Sequence, residues 1–201
     1  MRSKLFVTLL LIISRLLCYS QEETITDITD VTKVTILSPG FGYEKRIAKY
    51  QSLYLQGFFS ISAGAGYSDV VGFHSHFSLD PTLSLEYRYY YNFHRRQEHG
   101  KRVAMNSLNY IAPFFWSSFP KRNYYDGSGG VERKRRAIHA TGTTIGMQRN
   151  FKSRFSLDMN IGFGYRIEGK YTDDDGQGQI NNNQFYFPGR ISFGIWLNKR
   201  K

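Results

Sequence analysis

Residues 82–93, TLSLEYRYYYNF, alternate without a break. Leu83, Leu85, Tyr87, Tyr89, Tyr91 and Phe93 fall on one side of an extended chain, and Ser84, Glu86, Arg88, Tyr90 and Asn92 on the other. Successive side chains of a strand point to opposite faces, so this segment is a strand with one apolar and one polar face. Any half-buried sheet would accept such a strand. The constraint comes from the polar face, which carries both a carboxylate and a guanidinium, and from the recurrence of the pattern along the chain. It fits a strand whose apolar face meets lipid and whose polar face meets a lumen, as in a transmembrane β-barrel.

Three further segments repeat it. In 52–67, Leu53, Leu55, Phe59 and Ile61 alternate with Ser52, Gln56, Ser60 and Ser62. In 153–166, Phe155, Leu157, Met159, Ile161, Phe163 and Tyr165 alternate against Arg154, Ser156, Asp158 and Asn160. In 185–197 the outer set is Phe185, Phe187, Ile191, Phe193, Ile195 and Leu197, with Arg190, Ser192 and Trp196 inward. Segment 107–117 has poorer contrast, and its Pro113 predicts a bulge or a locally weakened ladder. Segment 136–149 is β-prone and slips phase around Gly142, which predicts a bulge. One strand is expected within 32–45, interrupted at Ser38-Pro39-Gly40, and another at 70–79, where His74 and His76 share a face. The count is then eight, with 70–79 the least secure member. An even count brings both chain termini to the periplasmic side, with long outer loops at 118–135 and 167–184 and a short inner turn at 150–152. The basic stretch 94–106 then falls inside and is long for a periplasmic turn.

Export is written at the N-terminus. Arg2 and Lys4 precede the apolar run Leu5 to Leu17, and Cys18-Tyr19-Ser20 forms a small-x-small site before Gln21, so residues 1–20 read as a signal peptide. Leu16-Leu17-Cys18 also hints at a lipoprotein box, with a bulky Leu17 where a small residue is usual. Cys18 is the only cysteine, so the mature chain holds no disulfide, thiolate metal site or cysteine nucleophile. Residues 21–31 read as a flexible periplasmic lead, and 32–201 as the barrel. The formal charge is +11, of which Arg2, Lys4 and Arg15 supply three, leaving +8. For an exported chain such basicity points to outer-membrane lipids and lipopolysaccharide phosphates rather than nucleic acid.

A soluble sandwich uses the same alternation. Against it stand Glu86, Arg88, Asp158 and Arg190, four inward charges that would cost several kcal/mol each if unpaired in a soluble core. In a small barrel they balance one another as a lumen network. Tyrosines near segment ends, as at 89–91 and 124–125, match interfacial girdles.

With these residues in view, the chain resembles small outer-membrane β-barrel proteins of Bacteroidota-type bacteria. The resemblance rests on the signal peptide ending before Gln21, on Pro39-Gly40-Phe41-Gly42-Tyr43-Glu44-Lys45, and on Arg88-Tyr89-Tyr90-Tyr91-Asn92 followed by Arg95-Arg96 and Gly100-Lys101. It implies location and fold and carries no catalytic residues. Such barrels usually end on an aromatic residue, whereas Asn198-Lys199-Arg200-Lys201 follows Leu197 here.

Chemistry is sparse. His74, His76 and His139, with nearby serines and Glu86, supply the residue types of a lipid-modifying hydrolase, but no spacing fixes a triad. Two histidines without a third ligand make a weak metal site. Asp173-Asp174-Asp175-Gly176 lacks the spacing and closing glutamate of a calcium loop. Gly127-Ser128-Gly129-Gly130 lacks the strand-to-helix setting of a phosphate loop. Eight strands leave an interior largely filled by side chains, which disfavours a diffusion pore. The expectation is an all-β, antiparallel, eight-stranded up-and-down transmembrane barrel in the cell outer membrane. It is expected to be a monomer, non-enzymatic, without cofactor or metal, and structural or surface-interacting. A lipid-modifying hydrolase and a secreted β-sandwich binding module are the alternatives.

Overall fold

The alternating segments pair antiparallel in sequence order, and the last returns to the first. The structure is a computed structural model describing residues 27–68, 72–125, 131–135, 137–168, 170–172, 179–181 and 183–198. Strands β1 (Val31–Thr35), β2 (Gly40–Ala48), β3 (Gln51–Ser68), β4 (Gly72–Tyr90) and β5 (Asn109–Ser118) follow one another. A hairpin, β6 (Lys121–Tyr125) with β7 (Val131–Arg135), leads to β8 (Ile138–Asn150) and β9 (Phe155–Ile167). A second hairpin, β10 (Lys170–Thr172) with β11 (Gln179–Asn181), leads to β12 (Gln184–Tyr186), which pairs with β9, and to β13 (Gly189–Trp196). The ring runs β1-β2-β3-β4-β5-β8-β9-β13 and closes through Lys33↔Trp196 and Thr35↔Gly194. It is an eight-stranded antiparallel β-barrel.

The total of eight stands, but two of its members differ from expectation. Segment 32–45 is two strands, because Ser38, with φ of 58°, turns the chain back so that Thr35 pairs with Gly40. Segments 70–79 and 82–93 are largely one strand, β4, paired with β3 in a single register from Ser68↔Gly72 to Gln51↔Tyr89. Asp80-Pro81 does not break it, since Pro81 stands one residue beyond the last β4–β5 pair, Thr82↔Ser118. The bulge expected at Gly142 is absent: β8 holds one register against β5 and another against β9 along its length. Thr141 and Thr143 face outward and Gly142 and Gly146 inward, and this blurs the contrast without shifting the phase. At Pro113 the locally weakened ladder forms rather than a bulge: the β4–β5 pairing skips between Glu86↔Phe114 and Tyr89↔Ile111 and resumes in register.

The barrel's outer face is apolar. Ile161, Phe163, Phe41, Leu83 and Ile145 are each more than half exposed, and Leu53, Leu55, Phe59 and Ile61 join them as read from the alternation. One barrel end holds the start of β1 and the end of β13, and is called the terminal end. There the stretch between β4 and β5, which includes α1 (Phe93–Glu98), folds across the opening. Ile28, Phe93, Val103 and Leu108 pack with Tyr90, Tyr110 and Ala112 into an apolar plug. Each such buried side chain contributes about 1.5–3 kcal/mol, which accounts for the length of 94–106: it is a cap rather than a turn. The lead, expected to be flexible over 21–31, is held from Asp27 on. Ile28 is in the plug, the Thr29 amide donates to Asn106 Oδ1 (2.8 Å), and Asn106 Nδ2 returns a bond to the Thr29 carbonyl (2.8 Å). Asn106 sits at φ of 58°, a left-handed conformation that asparagine tolerates better than most residues. Burial raises the pKa of the Asp30 carboxyl, but hydrogen bonds from Lys45, the Arg46 amide and Tyr43 outweigh it and hold the group below its ordinary range.

Candidate functional site

The inward faces of the strands deliver their polar side chains to one place. Arg88, fully buried on β4, donates through Nε and Nη2 to Glu86 Oε2 (2.8 and 2.6 Å) and through Nη1 to Asp158 Oδ2 on β9 (2.9 Å) and Gln148 Oε1 on β8 (2.6 Å). Its guanidinium lies between the rings of Tyr54 and Tyr110, with Cζ 4.0 and 4.3 Å from their centroids. Arg190, on β13, donates to Glu86 Oε1 (2.5 Å) and Gln56 Oε1 (3.1 Å). Glu86, Arg88, Asp158 and Arg190 thus form one connected network, the grouping the alternation predicts.

Two further charges belong to it and escape the sequence reading. Lys33 on β1 donates to Gln148 Oε1 (2.5 Å) and lies 3.7 Å from Asp158. Glu44 on β2, completely buried, accepts from Ser52 (2.7 Å), Tyr90 (2.5 Å) and Asn106 (2.9 Å) at Oε1 and from Gln148 (3.1 Å) at Oε2. Lys33, Arg88 and Arg190 balance Glu44, Glu86 and Asp158, so the buried network is formally neutral. Tyr110 closes it by donating to Asp158 Oδ1 (2.7 Å). The tyrosines fit because glycines lie under their rings: a Cβ at Gly42 would overlap Tyr54, and one at Gly146 would overlap Tyr110.

Toward the opposite end, where the hairpins lie, the filling changes. Several inward positions there are small, among them Ser60, Thr82, Ser84, Thr144 and Gly162, and a chamber of about 520 Å³ remains above the network. Glu86 and Arg190 line its floor, and Phe58, Phe114, Trp116 and Tyr186 are among its walls, with Trp116 Nε1 donating to the Tyr186 hydroxyl (2.7 Å). Among the described residues, the network fills the interior toward the terminal end and the chamber lies beyond it.

The wall beside the chamber is low on one side. β2 begins at Gly40↔Phe58, with one further bond from the Phe59 amide to the Pro39 carbonyl, whereas β3 runs on to Ser68. β1 pairs with β13 only as far as Gly194, with one further bond from the Ile36 amide to the Phe193 carbonyl. Among the described residues, β3 from Ser60 and β13 over Gly189–Ser192 have no ladder partner on the edges facing each other. Leu37, Ile61 and Ile191, exposed on the exterior, also line the chamber. The chamber therefore reaches the outer surface through a notch in the barrel wall.

The other candidates separate. Ser117 Oγ lies 2.6 Å from His139 Nδ1, with the imidazole stacked on Phe115, on the barrel exterior and away from the network. The side chains of His74 and His76, and residues 127–130 and 173–176, lie outside the described residues. Among the described residues no three His, Cys, Asp or Glu side chains converge as a metal site.

Ring closure, an apolar exterior and a neutral charged interior define the class: an eight-stranded antiparallel β-barrel with a sealed terminal end and a side-open chamber. No protein-family model, curated protein or solved structure matches the chain.

Proposed function

We propose that this is an outer-membrane β-barrel protein with a non-enzymatic, structural or surface-interaction role, working as a monomer among outer-membrane lipids and lipopolysaccharide. The observation that carries the reading is the inversion of the barrel: large apolar side chains cover the outside while Lys33, Glu44, Glu86, Arg88, Asp158 and Arg190 lie within. Soluble monomers rarely expose a contiguous apolar patch beyond about 300–600 Å², and a belt around a barrel far exceeds a patch. Lipid removes that cost, and closure satisfies the backbone groups that hydrocarbon cannot. The terminal end then faces the periplasm and the hairpins face outward, in keeping with the signal peptide and with the Bacteroidota-type resemblance.

The lipopolysaccharide partner is supported by the basic balance of the chain, a formal charge of +11, which suits anionic phosphates. Heat-modifiable migration on a denaturing gel, with recovery in the outer-membrane fraction after carbonate washing, is the expected behaviour. Extraction by carbonate as a soluble chain would overturn the reading.

One observation favours the hydrolase alternative: Ser117 and His139 are in hydrogen-bond contact on the face assigned to lipid. The contact uses Nδ1, the nitrogen that a catalytic histidine ordinarily gives to an orienting carboxylate. A hydrogen bond that satisfies two polar groups on an apolar surface is the better account. Lipid A from cells carrying His139→Ala should match wild type by mass; a shift between them would assign the pair a catalytic role.

A further inference from the structure

We propose that the chamber binds a single-chain fatty acid drawn sideways from the membrane through the notch, carboxylate on the floor and chain along the aromatic wall. The inference rests on the outer-membrane reading above. Its volume, about 520 Å³, is within the range of about 300–1,000 Å³ typical of small-molecule sites. It exists because Ser60, Thr82, Ser84 and Thr144 are inward at that level and leave space between the aromatic walls.

The notch decides the route. Open strand edges do not persist against hydrocarbon, and unpaired backbone at membrane depth occurs only where it is buried in protein or lines a water-filled cavity. The unpartnered edges of β3 and β13 face each other across such a cavity, above the turn at Leu37-Ser38. The lips are apolar: Leu37, Ile61 and Ile191 belong both to the exterior and to the chamber lining. An acyl chain crosses such lips without losing its apolar surroundings, whereas a free sugar or ion crossing them is desolvated without return.

The floor decides the head group. Of the two charged residues there, Glu86 has both oxygens engaged by Arg88 and Arg190. Arg190 is the only cationic side chain among the chamber's described lining residues, and it keeps 18 % of its side-chain surface exposed. A carboxylate is the acceptor that suits a guanidinium best. Phe58, Phe114 and Trp116 then flank the chain above it.

Trp116 and Trp196 are the only tryptophans, and Trp196 lies at the terminal end, bonded to the Phe151 carbonyl. Trp196→Phe therefore leaves a single reporter inside the chamber. The full chain carrying that change, in phosphatidylcholine vesicles, is titrated with a tail-brominated fatty acid and with the brominated alcohol of equal length. The expected result is saturable quenching at about one acid per barrel, with the alcohol about tenfold weaker for want of a charged hydrogen bond. Ser84→Phe, which fills the chamber without touching the ion pairs, removes the saturable phase, and Arg190→Met removes the preference for the acid. Quenching that follows bilayer loading, equal for acid and alcohol and unchanged by Ser84→Phe in barrels that still migrate as heat-modifiable, overturns the proposal. A chain that fails to insert overturns the outer-membrane reading and the proposal together.

Discussion

Replacing Arg88 by leucine should lower the stability of the barrel by about 3–5 kcal/mol, the cost of breaking a buried ion pair from one side. Arg88 is fully buried and meets Glu86 with two N–H groups and Asp158 with a third. Its removal strands two carboxylates, which retain only Arg190 and Lys33 as counter-charges. Arg88→Lys should recover part of the loss. An ammonium keeps the charge but cannot fork between two carboxylates or stack between Tyr54 and Tyr110. Urea unfolding in lipid vesicles, followed by tryptophan fluorescence and by the heat-modifiable band, measures both variants. A midpoint for Arg88→Leu equal to that of wild type would show that the lumen charges are solvated and that the network carries little stability.

Arg88 was legible in the sequence because it lies in an unbroken alternation, where phase alone assigns its face. The same holds for Glu86, Asp158 and Arg190. Lys33 and Glu44 were not legible, for a reason of phase. Lys33 is odd-numbered and Glu44 even-numbered, so one strand spanning 32–45 cannot turn both inward. The reversal at Ser38 makes two strands, each with its own phase, and both charges then meet in the lumen. Segments 70–79 and 82–93 read as two strands, yet β4 runs through Asp80-Pro81 intact, one residue beyond its last pair with β5. These two errors cancel in the strand count. The chamber and the notch depend on where neighbouring strands stop, which no single strand's pattern records.

Cap and lumen are joined through one carboxylate, and this makes Glu44→Leu the second large expected effect. Glu44 Oε1 takes hydrogen bonds from Ser52 and Tyr90 inside the barrel and from Asn106 in the cap, while Oε2 takes one from Gln148. Leucine leaves four buried donors without that acceptor and removes one of three negative charges facing Lys33, Arg88 and Arg190. Each stranded buried donor costs about 1–3 kcal/mol before relaxation, so a loss of about 3–5 kcal/mol is expected, similar to that for a broken buried pair. The two variants should differ in where they fail first. Asn106 also holds Thr29 through both its amide groups, so losing Glu44 should loosen the cap and the lead before the barrel opens. Protease added on the side of the terminal end should cut within 94–106 in Glu44→Leu at urea concentrations where the heat-modifiable band persists. Arg88→Leu should instead lose band and cap together. Identical cleavage thresholds in the two variants would mean that the plug of Ile28, Phe93, Val103 and Leu108 seats itself by apolar packing alone.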